Sequence, residues 1–225
     1  MQLPSIPSVV YNCIEPSTGN KIEFRPYTVG HEKALLLAQE TNDPATMLST
    51  LQRVIDDCTF NKLDIKSLPI FSIEALFLQI HGKSAGETAE IVVSCQTEGC
   101  TGTHTVELDI TQIPVVRDPN HTNVIFFSED SGVTMKYPTA ESEGDGEEFM
   151  AACIENIFVG ETVYLAKNSS PEELRGWLLN LSNEQFTKII DFFATMPRVE
   201  QEVKFKCKVC GKDNDVKLTG LNSFF

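Results

Sequence analysis

Positive charge is what this sequence has least of. Across 225 residues, 18 Lys and Arg stand against 32 Asp and Glu, a net charge of −14 with histidine neutral. A protein that neutralises a nucleic-acid backbone needs a surplus of Lys and Arg, so that class is disfavoured unless a basic patch is segregated on the surface. Long apolar runs are missing too. The most apolar stretch, Pro69 to Ile80, is interrupted by Ser72, Glu74 and Gln79 and falls short of the roughly 20 residues a bilayer span needs. No membrane-spanning helix is expected. The opening MQLPSIPSVVYNC has no Lys or Arg and two prolines, which fits neither a signal peptide nor a presequence, so the chain reads as cytosolic.

Catalytic motifs are absent as well. There is no H-E-x-x-H, G-x-S-x-G or G-x-G-x-x-G. His81-Gly82-Lys83-Ser84 imitates the end of a phosphate-binding loop, but the earlier glycine that motif requires would fall on Phe77. The four histidines are scattered, and no enzyme is expected. What is present, 41% hydrophobic and 22% charged residues with 13 Gly and 11 Pro, is the composition of an ordinary globular chain. Its length suits one large domain or two small ones.

Seven cysteines is an odd number, and a reducing compartment disfavours disulfides, so clustered pairs point to metal. Cys13, Cys58 and Cys153 stand alone and read as small buried hydrophobes. Cys207-Lys-Val-Cys210-Gly211 has the spacing of a zinc knuckle, followed by the glycine a tight turn demands. Cys95-Gln-Thr-Glu-Gly-Cys100 is wider but within the range zinc accepts. The economical arrangement is one structural Zn²⁺ held by Cys95, Cys100, Cys207 and Cys210, two hairpins facing each other across the metal. It requires the long stretch between the pairs to leave and return at neighbouring points. His104 completing a local site with Cys95 and Cys100, separate sites, and packed thiols without metal remain as alternatives.

Along the chain, the Pro/Gly/Asn-rich segment 15–20 separates two short strands, Tyr11 to Ile14 and Lys21 to Arg25, which predicts a hairpin. Thr28 caps a helix; Asp43-Pro44 starts another with Met47, Leu48, Leu51, Val54 and Ile55 on one face; a third runs from about Ser72 to Gly82. From Glu87 the pattern turns to strands around the first cysteine pair, then a hairpin from Thr122 to Tyr137. Residues 141–148, ESEGDGEE, carry five carboxylates and read as a solvated loop feeding a helix. Glu141, Glu143, Asp145 and Gly146 imitate a calcium loop, but its closing Glu would fall on Ala152. Helices are expected from Glu147 to Val159, from Ser170-Pro171 through Trp177 to Leu181, and behind Ser182 with Phe186, Ile189, Ile190 and Phe193 as core. Strands return around the second pair, where Glu202 to Cys207 repeats Glu90 to Cys95 and Val216/Leu218 repeats Val106/Leu108. The expected class is therefore α+β, a helical core with β-hairpins and a zinc-ribbon-like pair of knuckles. Its segments are 1–86, 87–140, a helical insert 141–198, and 199–225, forming one or two compact domains.

The segments "LPSIPSVVYNCIEPSTGNKIEFRPYTVGHEKALLLAQET", "LQRVIDDCT", "LPIFSIEALFLQIHGKSAGE" and "LTGLNSFF", with the two knuckles, resemble the T4-type myophage family of baseplate hub subunit and hub-assembly proteins. The resemblance implies a morphogenesis protein that binds other phage baseplate hub proteins in the host cytoplasm, or stays in the virion tail baseplate, and it carries no catalytic residues. The other class to weigh is a zinc-ribbon nucleic-acid adaptor, suggested by Lys204, Lys206, Lys208, Lys212 and Lys217 around the second knuckle. Candidate docking elements are the 141–148 loop and the terminal Phe224 and Phe225.

Overall fold

The computed structural model describes residues 6–142 and 144–224, so Glu143 of the acidic loop and the terminal Phe225 lie outside the described residues. The fold is α+β and forms two compact units, one of residues up to Val116 together with Arg198 onward, the other Arg117–Pro197.

The first unit opens with β1 (Tyr11–Ile14) and β2 (Lys21–Phe24), antiparallel with Tyr11 opposite Phe24. Glu15, at the end of β1, closes the turn by accepting from the backbone N–H groups of Ser17 and Thr18, both at 2.8 Å. Helix α1 (Val29–Glu40) starts at Thr28, whose hydroxyl accepts from the His31 N–H while the His31 ring accepts from the Thr28 N–H. Histidine thus takes the place of the Glu or Gln usual in this reciprocal cap. Helix α2 (Pro44–Cys58) is capped by Asp43 and buries Leu51, Val54, Ile55 and Cys58 at the expected spacing. Helix α3 (Ile70–Ala85) runs past the expected stop at Gly82. A Cβ on Gly82 would lie 2.4 Å from the Thr111 side chain. That glycine therefore admits a neighbouring 3-10 turn rather than ending the helix, and the packing offsets its poor helix propensity. Gly86, at φ +139°, is where the helix stops.

Strands β3 (Thr88–Ser94) and β4 (Thr103–Asp109) form a two-stranded ribbon, and β4 has no fully buried residue. Strand β5 (Val115–Val116) ends the outgoing chain. The core of this unit joins Phe24, Ile55, Leu76, Ile80, Ile110, Val199, Leu218 and Phe224. Phe224, a candidate docking aromatic, is only 2% exposed and belongs to this core.

The second unit contains β6 (Val124–Phe126), β7 (Ser131–Met135), α4 (Gly146–Ala152), β8 (Ile154–Val159), β9 (Thr162–Leu165), α5 (Pro171–Leu179) and α6 (Asn183–Thr195). Its sheet is antiparallel in the order β6-β7-β8-β9. The expectation of helix from Glu147 to Val159 is corrected here: α4 ends at Ala152, and the β-branched and aromatic run Ile154–Val159 pairs with β7 on one side and β9 on the other. Sheet pairing on both edges overrides the apolar spacing that also fits a helix. Helix α5 stops at Leu179 rather than Leu181, and in α6 Phe192 is buried while Ile190 is exposed. Ile125, Val133, Met135, Cys153, Ile154, Leu178, Ile189 and Phe192 form this unit's own core.

The described acidic residues of the 141–148 loop are exposed or half-exposed. Because α4 already begins at Gly146, the loop itself is 141–145, and exchanging those five residues for a Gly/Ser linker of equal length is expected to change the stability of the protein by less than about 1 kcal/mol, read by urea denaturation.

The last strands, β10 (Arg198–Lys206) and β11 (Asp213–Thr219), return to the first unit in a sheet of order β11-β10-β5. Arg198 pairs with Val116 and Val199 with Val115. The chain therefore leaves and re-enters this unit on adjacent strands, which is the condition a site shared between the two cysteine pairs requires.

Candidate metal centre

Each cysteine pair sits at the tip of a hairpin, where the backbone is folded by its own hydrogen bonds. The Cys95 N–H donates to the Gly102 carbonyl at 2.8 Å, and the Cys100 N–H to the Thr97 carbonyl at 3.0 Å. In the other tip the Cys207 N–H donates to the Lys212 carbonyl at 2.8 Å and the Gly211 N–H to the Cys207 carbonyl at 2.9 Å. Gly99 and Gly211 occupy the left-handed region at φ +75° and +74°, a conformation that costs an L side chain strain. Gly102 is needed for a different reason. A Cβ there would lie 2.8 Å from the Cys207 sulfur, so the two tips meet only because this residue has no side chain.

The structure brings together all four cysteines singled out by their spacing. The sulfurs of Cys95, Cys100, Cys207 and Cys210 lie within 4.8 Å of one another. Two contacts cross between the hairpins: Cys95 to Cys210 at 3.7 Å and Cys100 to Cys207 at 3.8 Å. Zinc–thiolate bonds of about 2.3 Å in a tetrahedron set sulfur–sulfur edges of about 3.8 Å, so these two edges match a four-thiolate cage. Cys95 and Cys207 are buried, Cys100 is half-buried and Cys210 is exposed.

Backbone N–H groups two residues beyond three of the sulfurs point back at them. Thr97 N–H lies 3.5 Å from the Cys95 sulfur, and Gly102 and Lys212 play the same part for Cys100 and Cys210. The Thr97 hydroxyl and N–H bring the Cys95 thiol down to about 6. The Lys212 N–H is foremost in lowering Cys210. At Cys100 the Gly102 N–H pulls the same way, but burial and the three neighbouring cysteines outweigh it and hold the thiol up at about 11. Four thiolates this close repel one another, and a cation between them removes that repulsion.

His104 does not build the local site with Cys95 and Cys100. Its Nε2 accepts the Lys208 N–H at 3.3 Å and lies 3.4 Å from the Cys207 sulfur, while its ring packs on Phe205 with centroids 4.8 Å apart. The lone pair of Nε2 is thus engaged, and the imidazole borders the cage.

Asn214 is a site residue that sequence reasoning did not mark. It is buried, accepts the Gln96 N–H at 2.7 Å on Oδ1, and donates through Nδ2 to the Lys212 carbonyl at 3.0 Å, tying the first knuckle to the second. A lone Asn in a strand carries no linear signal for such a link. Thr97 carries no sequence signal beyond its place in the spacer between Cys95 and Cys100. The three isolated cysteines behave as expected: Cys58 and Cys153 are buried, Cys13 is half-buried, and burial pushes each thiol up to about 11.

The lysines near the second knuckle are interleaved with acids. Lys204 lies between Glu202 at 3.2 Å and Asp215 at 3.6 Å, and Lys217 lies 3.4 Å from Glu200. Among the described residues, no helix is long and apolar enough to cross a membrane.

The chain belongs to the family described as T4 bacteriophage base plate protein, whose model matches residues 8–225. No curated protein and no solved structure matches it. Family membership gives the chain a role in baseplate structure and a place among other phage structural proteins.

Proposed function

We propose that the protein serves the central hub of the tail baseplate, as a hub subunit or as a hub-assembly factor, by binding other hub proteins, with one structural Zn²⁺ held by Cys95, Cys100, Cys207 and Cys210. The observation that carries the baseplate reading is the family match over residues 8–225. The zinc reading rests on the meeting of four sulfurs from two distant hairpins. The protein acts in the infected host's cytoplasm and performs no turnover chemistry of its own. Tagged protein recovered from infected cells should carry hub proteins with it. Mass spectrometry of finished virions then separates a subunit, present there, from an assembly factor, absent.

A nucleic-acid adaptor is the competing reading, and the lysines that suggest it favour it less once Lys204 and Lys217 are seen paired with acids. Filter binding to single- and double-stranded DNA should show no retention that falls with added salt, the signature of phosphate contacts.

Asn214 gives the zinc reading a graded test. Asn214→Ala removes the acceptor of the Gln96 N–H while leaving all four sulfurs, so zinc should remain at one per chain but bind roughly 10- to 100-fold more weakly in chelator competition.

A further inference from the structure

The sheet of the second unit has one face on its core and the other in solvent. Ile125 and Val133 point inward and are buried. Register places Phe126, Gly132, Phe158 and Val163 in one row of the opposite face and Val124, Thr134, Asn156 and Leu165 in the next. Apart from Thr134 and Asn156, that outer face is apolar. Phe126 is 56% exposed, Val163 57% and Leu165 40%. Phe158 lies across Gly132, where a Cβ would come within 2.6 Å of its ring, and Phe126 meets it edge-on at 5.5 Å. The glycine lets the aromatic ring lie flat against the sheet.

Strand β9 borders this face and, among the described residues, pairs only with β8. All four of its residues, Thr162-Val-Tyr-Leu165, are exposed. Natural edge strands are usually guarded by a charge, a proline or a bulge, and β9 has no charge and no proline. The two-residue turn at Gly160-Glu161 makes Val159 and Thr162 a hydrogen-bonded pair. By alternation, the N–H and C=O groups of Val163 and Leu165 face the open edge, the same two residues whose side chains extend the apolar face.

Charge identifies the occupant. Residues 117–197 hold fourteen Asp and Glu against five Lys and Arg. At the turn end of the sheet the Gly160 N–H donates to the Asp130 carbonyl at 2.8 Å, which gathers exposed Glu129, Asp130 and Glu161 beside the start of β9. A second copy would bring a unit of the same net charge against this one, whereas a Lys- or Arg-bearing segment complements it.

We propose that β9 is a receptor edge for an extended segment of a different protein, one with apolar side chains at alternate positions and Lys or Arg at the end that meets Glu161. The segment adds as a fifth strand and lays its alternate side chains beside Val163 and Leu165. This specifies a surface for the partner-binding reading above and rests on it.

The probe is a bead-displayed library of peptides about six residues long, a strand's length, presented to the full-length protein. Two variants accompany it. Val163→Pro removes an outward N–H and leaves the ladder to β8 intact, and Glu161→Lys reverses one charge in the turn. Enriched peptides should alternate apolar residues and carry Lys or Arg at one end. Val163→Pro should weaken them about tenfold or more at an unchanged melting temperature, and Glu161→Lys should weaken the basic ones selectively. Four results overturn the proposal: no enrichment, equal binding to Val163→Pro, enriched peptides without basic residues, or self-association of the wild type that Val163→Pro abolishes. Recovery from infected cells keeps the two readings apart. Hub proteins recovered equally with Val163→Pro sink the receptor edge while partner binding stands, and none recovered with the wild type sinks partner binding itself.

Discussion

Replacing Cys207 with serine is expected to release the metal and to unfold the β3–β4 ribbon along with the hairpin that carries the mutation. Their cysteine pairs are more than a hundred residues apart in sequence, and the coupling passes through the cage. A two-stranded ribbon is marginal alone; β3 adds Ile91 and Val93 to the unit's core but β4 has no fully buried residue, so the β3–β4 ribbon leans on what holds its tip. A structural zinc site can contribute on the order of 10 kcal/mol to folding, because it does not exist in the unfolded chain. Elemental analysis should give one zinc per chain in the wild type and close to none in Cys207→Ser or in Cys95→Ser. Hydrogen exchange should then rise at Ile91 and Val93 as well as around Cys207, since those two residues carry β3 into the core. The 117–197 unit has a core of its own and should keep its melting transition when a chelator removes the other's metal. Two zinc ions per chain, or metal retained at Cys95 and Cys100 after Cys207 is lost, would establish independent sites and remove the coupling.

The parts of this centre that sequence reveals are those fixed by local chemistry. Knuckle spacing and the glycine after Cys210 are local demands, and Cys95, Cys100, Cys207 and Cys210 do converge. The same holds for Thr28, Asp43, Ser170 and Ser182, each of which caps the helix it was expected to start. What was hidden depends on partners distant in the chain. Ile154–Val159 has an apolar pattern compatible with helix, and only pairing with β7 and β9 makes it a strand. Gly82 looks like a stop, and only Thr111 packed against it shows why it sits inside a helix. Asn214 needed Gln96 beside it, and Val116 and Arg198, which pair, are separated by the whole of residues 117–197 in sequence. Phe224 looks like a docking aromatic in sequence, and only its burial in the first unit's core shows that it packs on its own domain.

Glu15 is the position where a single carboxylate should control stability most visibly through pH. It is 1% exposed, and its oxygens receive the backbone N–H groups of Ser17 and Thr18 at 2.8 Å and the Ser17 hydroxyl at 2.9 Å. Burial pushes this carboxyl up, but the hydrogen bonds it accepts, among them those from Thr18 and Ser17, outweigh it and lower it from 4.5 to about 2. The charged form is thus favoured by folding. Its contribution is fully present above about pH 4.5, where the unfolded chain is also ionised, and is lost as pH falls through about 2. A shift of that size corresponds to about 3 kcal/mol at neutral pH. Glu15→Gln cannot ionise, and its amide hydrogens would face backbone donors. It should therefore destabilise the first unit by at least that amount at pH 7, with the gap from wild type narrowing between about pH 4.5 and pH 2. Because the Ser17–Thr18 turn that Glu15 closes joins β1 to β2, the loss should appear as early detachment of the β1–β2 hairpin, read as faster exchange at Ile22 and Phe24. A wild-type and Glu15→Gln pair whose stability difference is the same at pH 7 and pH 3 would show that the charge of Glu15 contributes nothing, and that only its shape holds the turn.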